Sequence, residues 1–424
     1  MLNKLESLSM THMQHRLHAW LAGYPRESWL FIVASLTNAI GSATLWPLIT
    51  IYVHNVLHRS YGEAGFVLFC QSLASVVGQF IGGALFHRLG AKRLIVGSLL
   101  LNGLAQLGLI VAKTWNPYIA MMVANGLLNA ITMPAVNAFV GYRWREQRYR
   151  LFNAIYVFNN IGVAIGTSLA GLLAAISFNL TFLVDGLTTI GFGLFFYAYL
   201  RRIQFQEADT LQVEPGMQSG GEGIRTLLGD YRVYLFIAMG MMMLSTATSA
   251  WSSGVAPFLN QMGRPPADFS FLWTINGIVI LVGQPLISLL NRFVTKSLYG
   301  RLISSGVFYT IGFAFLWFFH GKYMFLIVSM IICTFGEMHI SPTSPALITQ
   351  TTGRSAPFYL GVVGGVGNLG RLVGPPLFGN LFDFFGVVPI LAVASGASAI
   401  STASFFMHRV LNRSFLVNHE AKRM

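Results

Sequence analysis

Long apolar stretches alternate with short polar segments along almost the whole chain. Each stretch matches the roughly 20 mainly apolar residues that a transmembrane helix needs. The pattern predicts twelve membrane spans, numbered one to twelve in chain order, at residues 29–53, 65–86, 94–113, 117–141, 151–174, 179–200, 232–257, 269–290, 299–319, 323–349, 358–381 and 387–408. The sequence therefore predicts an all-α integral membrane protein.

The polar segments divide the chain into two halves. Residues 1–28 are polar and lack the apolar core and cleavage site of a signal peptide. Residues 201–231 form the longest polar stretch between spans, and their Gly, Gln and acidic residues are typical of a flexible linker. We expect a six-helix bundle at 29–200, a second at 232–408, and a polar tail at 409–424.

The composition and the distribution of charge support this topology. The chain is 54% hydrophobic and 10% charged, whereas soluble domains carry about 25% charged residues. Of its 27 lysines and arginines, 22 fall on one side of the predicted membrane and four on the other. The positive-inside rule then places both termini in the cytoplasm, with the protein in the cell (inner or plasma) membrane. Because the basic residues are spread over many short loops, nucleic-acid binding is not expected.

Cys70 and Cys333 lie inside predicted spans, so we expect neither a disulfide nor a metal site.

Spans five and eleven resemble each other in sequence. NIGVAIGTSLAG begins at Asn160 and NLGRLVGPPLFG at Asn368, and five residue types agree at an offset of 208. This agreement predicts a parallel repeat of two six-helix halves. The shared small residues predict close helix packing, and they are Gly162, Gly166, Gly370 and Gly374, with Pro375 expected to kink span eleven.

The loop between spans two and three, GGALFHRLGAKR, resembles the signature of the major facilitator superfamily at this place. The matching residues are Gly83, Arg88, Gly90, Lys92 and Arg93, while His87 stands where the family usually has aspartate. The resemblance implies a twelve-span transporter that works by alternating access. It also implies that this loop helps to lock the halves together on the cytoplasmic side, a lock in which a neutral histidine can only hydrogen-bond.

Other segments resemble the drug:proton antiporter branch of that superfamily. They are NNIGVAIGTSLAG, with Thr167 in place of the usual proline, the fuller GRLVGPPLFG, the loop RWREQRYRLFN and PLIT at 47–50. The resemblance implies efflux of hydrophobic or cationic small molecules driven by the proton gradient, with no cofactor. A lipid or glycolipid flippase and a proton symporter of the same fold remain alternatives. The sequence lacks HExxH, GxSxG and Walker motifs, so an enzyme is not expected. The expected partners are a lipophilic substrate, protons and membrane lipids, and we expect a monomer.

Polar and aromatic residues inside the spans are candidates for a substrate site at the midplane between the halves. Many amides cannot face lipid cheaply, so most should face the interior, although any one amide more often bridges two helices than contacts a ligand. The candidates are Asn38, Trp46, Gln71, Asn125, Asn129, Tyr156, Asn159, Asn160, Met242, Trp251, Asn276 and Asn368.

Glu337 is the carboxylate that the sequence places deepest in the membrane. It lies 14 residues into span ten, about 21 Å from its start at 1.5 Å per residue, and the equivalent residue of span four is Asn129. Thr334, Ser341 and Ser344 share its helical face, whereas Asp185 and Asp383 are expected near the outer interface. We therefore predict a proton-coupling site, whose candidates are Glu337, Arg371 and His339. For Glu337, a purely structural ion pair with Arg371 and a contact with substrate alone stay open as alternatives. For His339, the alternative is an interhelical hydrogen-bond donor.

Overall fold

The computed structural model describes residues 26–45, 48–59, 61–202 and 232–421. Within these ranges the chain is almost entirely helical and contains no β-strand. A helix lies at each predicted span. Spans one to six correspond to Arg26–Ala43 with Ile49–Asn55, then Tyr61–Gly108 (spans two and three), Trp115–Arg143, Arg148–Ile176 and Phe178–Arg202. Spans seven to twelve correspond to Arg232–Ala250 with Trp251–Val255 and Ala256–Gln261, Pro266–Val282 with Gln284–Phe293, Leu298–Phe318, Tyr323–Thr351, Ala356–Phe385 and Val387–Ala421.

Eight helices of the described chain are long and apolar enough to cross a membrane. A pair bent by 57°, Asp268–Val282 and Gln284–Phe293, forms a ninth candidate at span eight. The stretch Glu63–Gly108 is 46 residues long and breaks at Gly90, where φ is 77° and ψ is 154°, so it contains spans two and three. These helices define an all-α membrane protein, and the full count of twelve crossings stays a prediction.

The same helix pairs pack together in the two halves. Spans one and five, one and six, and three and six are in contact, as are their counterparts seven and eleven, seven and twelve, and nine and twelve. Glycines allow the closest of these approaches. A Cβ atom at Gly166 would overlap the carbonyl oxygen of Ile40 in span one, and one at Gly370 would overlap that of Met242 in span seven. Gly162 and Gly374 line the same two seams, facing Ala39 and Ser249.

Aromatic rings fill the core of the first half. Phe31 is 1% exposed, and its ring centroid lies 5.5 Å from that of Phe196 and 6.4 Å from that of Phe139. The halves meet where spans two and eleven touch. A Cβ atom at Gly83 would lie 2.6 Å from the Pro357 carbonyl oxygen, so the two backbones are nearly in contact. We call this end, which carries the loop at 82–93, the gate end.

Asp185 is buried inside the helix bundle. The helix begins at Phe178, which puts Asp185 about 10 Å along it, and the next residue, Gly186, packs against Leu107 of span three. Asp185 is only 1% exposed, and its Oδ1 atom has no hydrogen-bond partner within the described residues. Asp185 is therefore surrounded by protein, and its position near the outer interface of the membrane stays a prediction.

Several predicted segments fall wholly or largely outside the described residues: most of the N-terminal segment 1–28, the linker at 203–231, and the Trp46-Pro47 pair. The helix of span twelve continues to Ala421, so most of the segment predicted as a polar tail from residue 409 is helical.

Candidate functional site

A cavity of about 550 Å³ lies between the two halves. Residues of spans two, four and five line it from the first half, and residues of spans seven to eleven line it from the second. Its wall combines aromatic rings with amides, hydroxyls and two charged groups. A site of this size, apolar with few polar groups, is typical of small-molecule binding.

Span ten brings its polar face to this cavity. Thr334, Glu337, Ser341 and Ser344 all line it, as the helical spacing of 3, 4 and 3 residues predicts. The Nδ2 atom of Asn276 in span eight donates to Glu337 Oε2 at 2.9 Å and to Thr334 Oγ1 at 2.9 Å. Glu337 is therefore held by a neighbouring helix of its own half.

Arg371 lines the same cavity at the middle of span eleven, and its side chain is exposed there. Among the described residues, the ion pairs are Arg59–Glu63, Arg143–Glu27 and Arg264–Asp268. The carboxylate of Glu337 thus lies more than 4.0 Å from the Arg371 guanidinium. The ion pair expected as the alternative role of Glu337 is absent from this conformation.

Two tyrosines surround the charged groups. The Tyr156 hydroxyl of span five lies near Glu337 and Ser341, yet it is buried without a hydrogen bond in the described chain. Tyr309 of span nine lines the cavity together with Glu337 and Arg371. Glu337 therefore lies where the halves face each other, with a donor from the opposite half close by.

Span seven contributes a tryptophan to the wall through a local break in its α-helix. Residues Trp251–Val255 form a π-helical turn, a feature found frequently at functional sites. Trp251 is 2% exposed and lines the cavity together with Trp273 of span eight.

The predicted substrate residues divide into two groups. Tyr156, Asn159, Trp251 and Asn276 line the cavity. Asn38, Gln71, Asn125, Asn129, Asn160, Met242 and Asn368 do not belong to its lining, and Trp46 lies outside the described residues.

Some of the amides away from the cavity bridge helices of one half. Gln71 Nε2 donates to Asn125 Oδ1 at 3.0 Å, and Asn125 Nδ2 donates to Asn102 Oδ1 at 3.3 Å. This chain joins spans two, four and three. Asn160 instead donates to the carbonyl oxygen of Tyr156 in its own helix.

His339 lies outside the cavity lining. It is fully buried, its Nδ1 atom contacts the Phe335 carbonyl oxygen at 2.9 Å, and its ring stacks on Phe308 with the centroids 5.6 Å apart. The structure thus separates His339 from Glu337 and Arg371.

Two sets of contacts close the gate end. Tyr142 of span four donates to the carbonyl oxygens of Gly353 and Arg354 at 2.7 and 3.1 Å, and His87 Nε2 contacts the Arg354 carbonyl oxygen. We call these the main-chain gate contacts. Because a carbonyl oxygen only accepts, His87 must be the donor.

Tyr149 forms the second set at the start of span five. The Arg301 guanidinium lies over its ring, 4.1 Å from the centroid, and Asn291 donates to its hydroxyl at 3.1 Å. Nearby, Asn153 Nδ2 donates to Gln284 Oε1 at 3.0 Å. Both sets therefore join the first half to the second at the same end.

The remaining loop residues do not bridge the halves in this way. Gly90 makes the break between spans two and three with its positive φ, a conformation that favours glycine. Lys92 lies over the Tyr197 ring at 4.8 Å, while Arg88 and Arg93 are exposed.

Sequence reasoning missed Tyr309, Gln79 and Asn137, which also line the cavity. Tyr309 belongs to span nine, from which the sequence supplied no candidate. Gly336, the residue before Glu337, is the sequence feature that relates to Tyr309. A Cβ atom at Gly336 would lie 2.6 Å from the Tyr309 ring, so the glycine leaves room for that tyrosine.

The chain belongs to the major facilitator superfamily, whose family model matches residues 31–375. It is 32% identical over 364 residues to an uncharacterized MFS-type transporter, YttB, of Bacillus subtilis (strain 168), covering 86% of this chain and 90% of that protein. It is 20% identical over 353 residues to the quinolone resistance protein NorA of Staphylococcus aureus (strain COL), covering 83% and 88%. The fold resembles the crystal structure of the human organic anion transporter MFSD10 (TETRAN), with a TM-score of 0.68, 13% identity, and coverage of 91% and 100%.

Proposed function

We propose that this transporter uses the proton gradient to export hydrophobic aromatic small molecules, including cations, by alternating access. The observation that carries this proposal is the position of Glu337: it lines the cavity between the halves, is bound by Asn276, and is free of Arg371. Family membership and the similarity to NorA support the proposal. The gate end would face the cytoplasm of the cell, as the distribution of basic residues predicts.

The proposed mechanism depends on Glu337 having a different environment in each of the two conformations. Burying an ionised carboxylate in the membrane is costly, so an intramembrane acid is a natural proton site. In the proposed cycle, proton binding to Glu337 and substrate binding favour opposite conformations, because each ligand can shift the equilibrium only by its differential affinity for the two states. The Tyr156 hydroxyl, unpartnered beside Glu337 in the structure described, would change its contacts as the halves move.

Everted membrane vesicles test the proposal directly. Lipophilic aromatic dyes should accumulate only when a proton gradient is present, and Glu337→Gln should abolish that accumulation. Dye exchange without a gradient should persist in part in Glu337→Gln, because the amide keeps the shape of the cavity but cannot take up and release a proton.

Asp185→Asn is the matched control. It makes the same chemical change at a buried carboxylate that lies outside the cavity lining, and it should keep gradient-driven transport. Undiminished transport by Glu337→Gln would show that Glu337 does not couple proton and substrate movement. Accumulation in right-side-out vesicles alone would instead favour a proton symporter.

A further inference from the structure

The cavity carries one formal charge of each sign. Of the described residues that line it, only Glu337 and Arg371 are charged, and they do not form an ion pair with each other. Tyr309 lines the same cavity as both of them. The cavity therefore presents a carboxylate and a guanidinium that are not paired with each other.

An unpaired arginine in the middle of a span is unusual. Charged residues inside the membrane are costly and normally pair with an opposite charge or line a ligand pathway. The next carboxylate along span eleven, Asp383, lies 12 residues away, about 18 Å along the helix axis. Arg371 thus forms no ion pair with another described residue, and it lines the cavity.

Arginine is suited to an anion of a particular shape. Its planar fork donates two parallel hydrogen bonds to a carboxylate, which an ammonium group cannot do. In the same cavity, Trp273, which is 47% exposed, and the half-buried Tyr156 supply aromatic surfaces, against which an aromatic ring can stack.

We propose that the preferred substrates are amphoteric aromatic molecules whose carboxylate binds Arg371 and whose amine or cationic ring binds Glu337. This inference rests on the proposed function, because it assigns a substrate class to the same cavity. It departs from an expectation of plain lipophilic cations, since such a cation leaves Arg371 unpaired and is repelled by it.

The two contacts have different roles in the cycle. A proton on Glu337 removes the attraction for the cationic end of the substrate, so proton and substrate compete at that residue. The carboxylate on Arg371 is unaffected by that proton. Arg371 therefore determines which molecules bind, whereas Glu337 determines when they leave.

Rhodamine B and its ethyl ester form a matched pair of probes. The acid carries a carboxylate and a cationic ring system, and the ester carries the cationic ring alone. Binding of each dye to the purified full-length protein can be measured by quenching of tryptophan fluorescence, because Trp251 and Trp273 line the cavity. We expect the acid to bind about tenfold or more tightly, the usual effect of a charge-assisted hydrogen-bonded contact.

Three variants assign the preference to Arg371. Arg371→Gln should bring the ratio of the two affinities to about one, and Arg371→Lys should keep a reduced preference for the acid, since it retains the charge without the fork. Arg201→Gln, an exposed arginine at the end of span six, is the control and should keep the wild-type ratio.

The inference is overturned if the wild type binds both dyes equally, prefers the ester or binds neither. It is also overturned if Arg371→Gln retains the wild-type ratio. If Arg371→Gln does not fold, an unreduced ratio of acid to ester affinity in Arg371→Lys overturns the inference.

Equal proton-driven transport of acid and ester would reject the substrate class while leaving the proposed function intact. A clear preference in binding without proton-driven transport would reject the proposed function while leaving the Arg371 site intact.

Discussion

Asn276 in span eight and Glu337 in span ten are joined by a hydrogen bond of 2.9 Å from Nδ2 to Oε2. Both residues belong to the second half of the molecule, and the same Nδ2 atom also donates to Thr334. The orientation of the carboxylate is therefore fixed within one half, and it does not depend on how that half meets the other.

Replacing Asn276 by leucine should impair proton-driven transport by about tenfold to a hundredfold. The substitution removes a donor to an ionised carboxylate, a contact that contributes roughly 1.5–3 kcal/mol. Initial rates of dye accumulation in everted vesicles would measure the effect. Asn260→Leu, at an exposed position, is the control, and a wild-type rate in Asn276→Leu would contradict the prediction.

Replacing Arg301 by alanine should weaken closure of the gate end. The guanidinium stacked on Tyr149 contributes about 0.5–2 kcal/mol, so the ratio of closed to open molecules should fall by about twofold to thirtyfold. Tyr149→Phe removes only the hydroxyl that accepts from Asn291 and should have a smaller effect.

Spin-label distances between Leu89 and Phe293, in a background lacking Cys70 and Cys333, would report this closure. Both labelled positions are exposed and lie in different halves. Arg264→Ala is the matched control, because that guanidinium also lies over a tyrosine ring, Tyr323 at 4.8 Å, but within one half. Equal effects of the two alanine variants would argue against a specific role of Arg301 in the gate.

Replacing His87 by aspartate, the residue usual in the family at this position, should open the gate end rather than close it. His87 donates to the Arg354 carbonyl oxygen, and an ionised aspartate has no hydrogen to donate and would repel that oxygen. His87→Gln keeps a donor and should stay close to the wild type. Labelling of a Ser245→Cys cavity cysteine from the gate side would rank the variants, and faster labelling of His87→Gln than of His87→Asp would refute this account.

Alanine at Gly166 or Gly370 should destabilise the fold by about 1–3 kcal/mol, the usual range for an overpacked contact. At both positions the added methyl would meet a backbone carbonyl oxygen that cannot move aside. Gly171→Ala and Gly379→Ala are controls in the same two helices, because a Cβ atom there meets nothing within 4 Å. Thermal unfolding in detergent would compare the four variants, and equal melting temperatures would show that the seams tolerate the methyl group.

The sequence predicted the helices well, because an apolar run of membrane-spanning length is rarely compatible with any structure except a transmembrane helix. It also predicted that Glu337 and its polar stripe share one face, since helical spacing determines which residues lie together. It did not predict the burial of Asp185, because the exposure of a side chain depends on the neighbouring helix, here span three.

Helical spacing could not separate cavity residues from interhelical bridges. Gln71 and Asn125 face the interior as expected, but the interior they face lies between helices of one half. Tyr156 and Asn276 face the interior between the halves. The two positions are equivalent in a hydropathy profile and differ only in how the bundle is assembled.

The main-chain gate contacts use backbone carbonyl oxygens as acceptors, and this determines which residues of the gate can be substituted. Tyr142 and His87 both bond to backbone oxygens of the turn at Gly353–Ser355. Every residue type supplies such an oxygen, so side chains in that turn can be exchanged without deleting the acceptor. Only the two donor residues, Tyr142 and His87, must therefore keep their side-chain chemistry for these contacts to form.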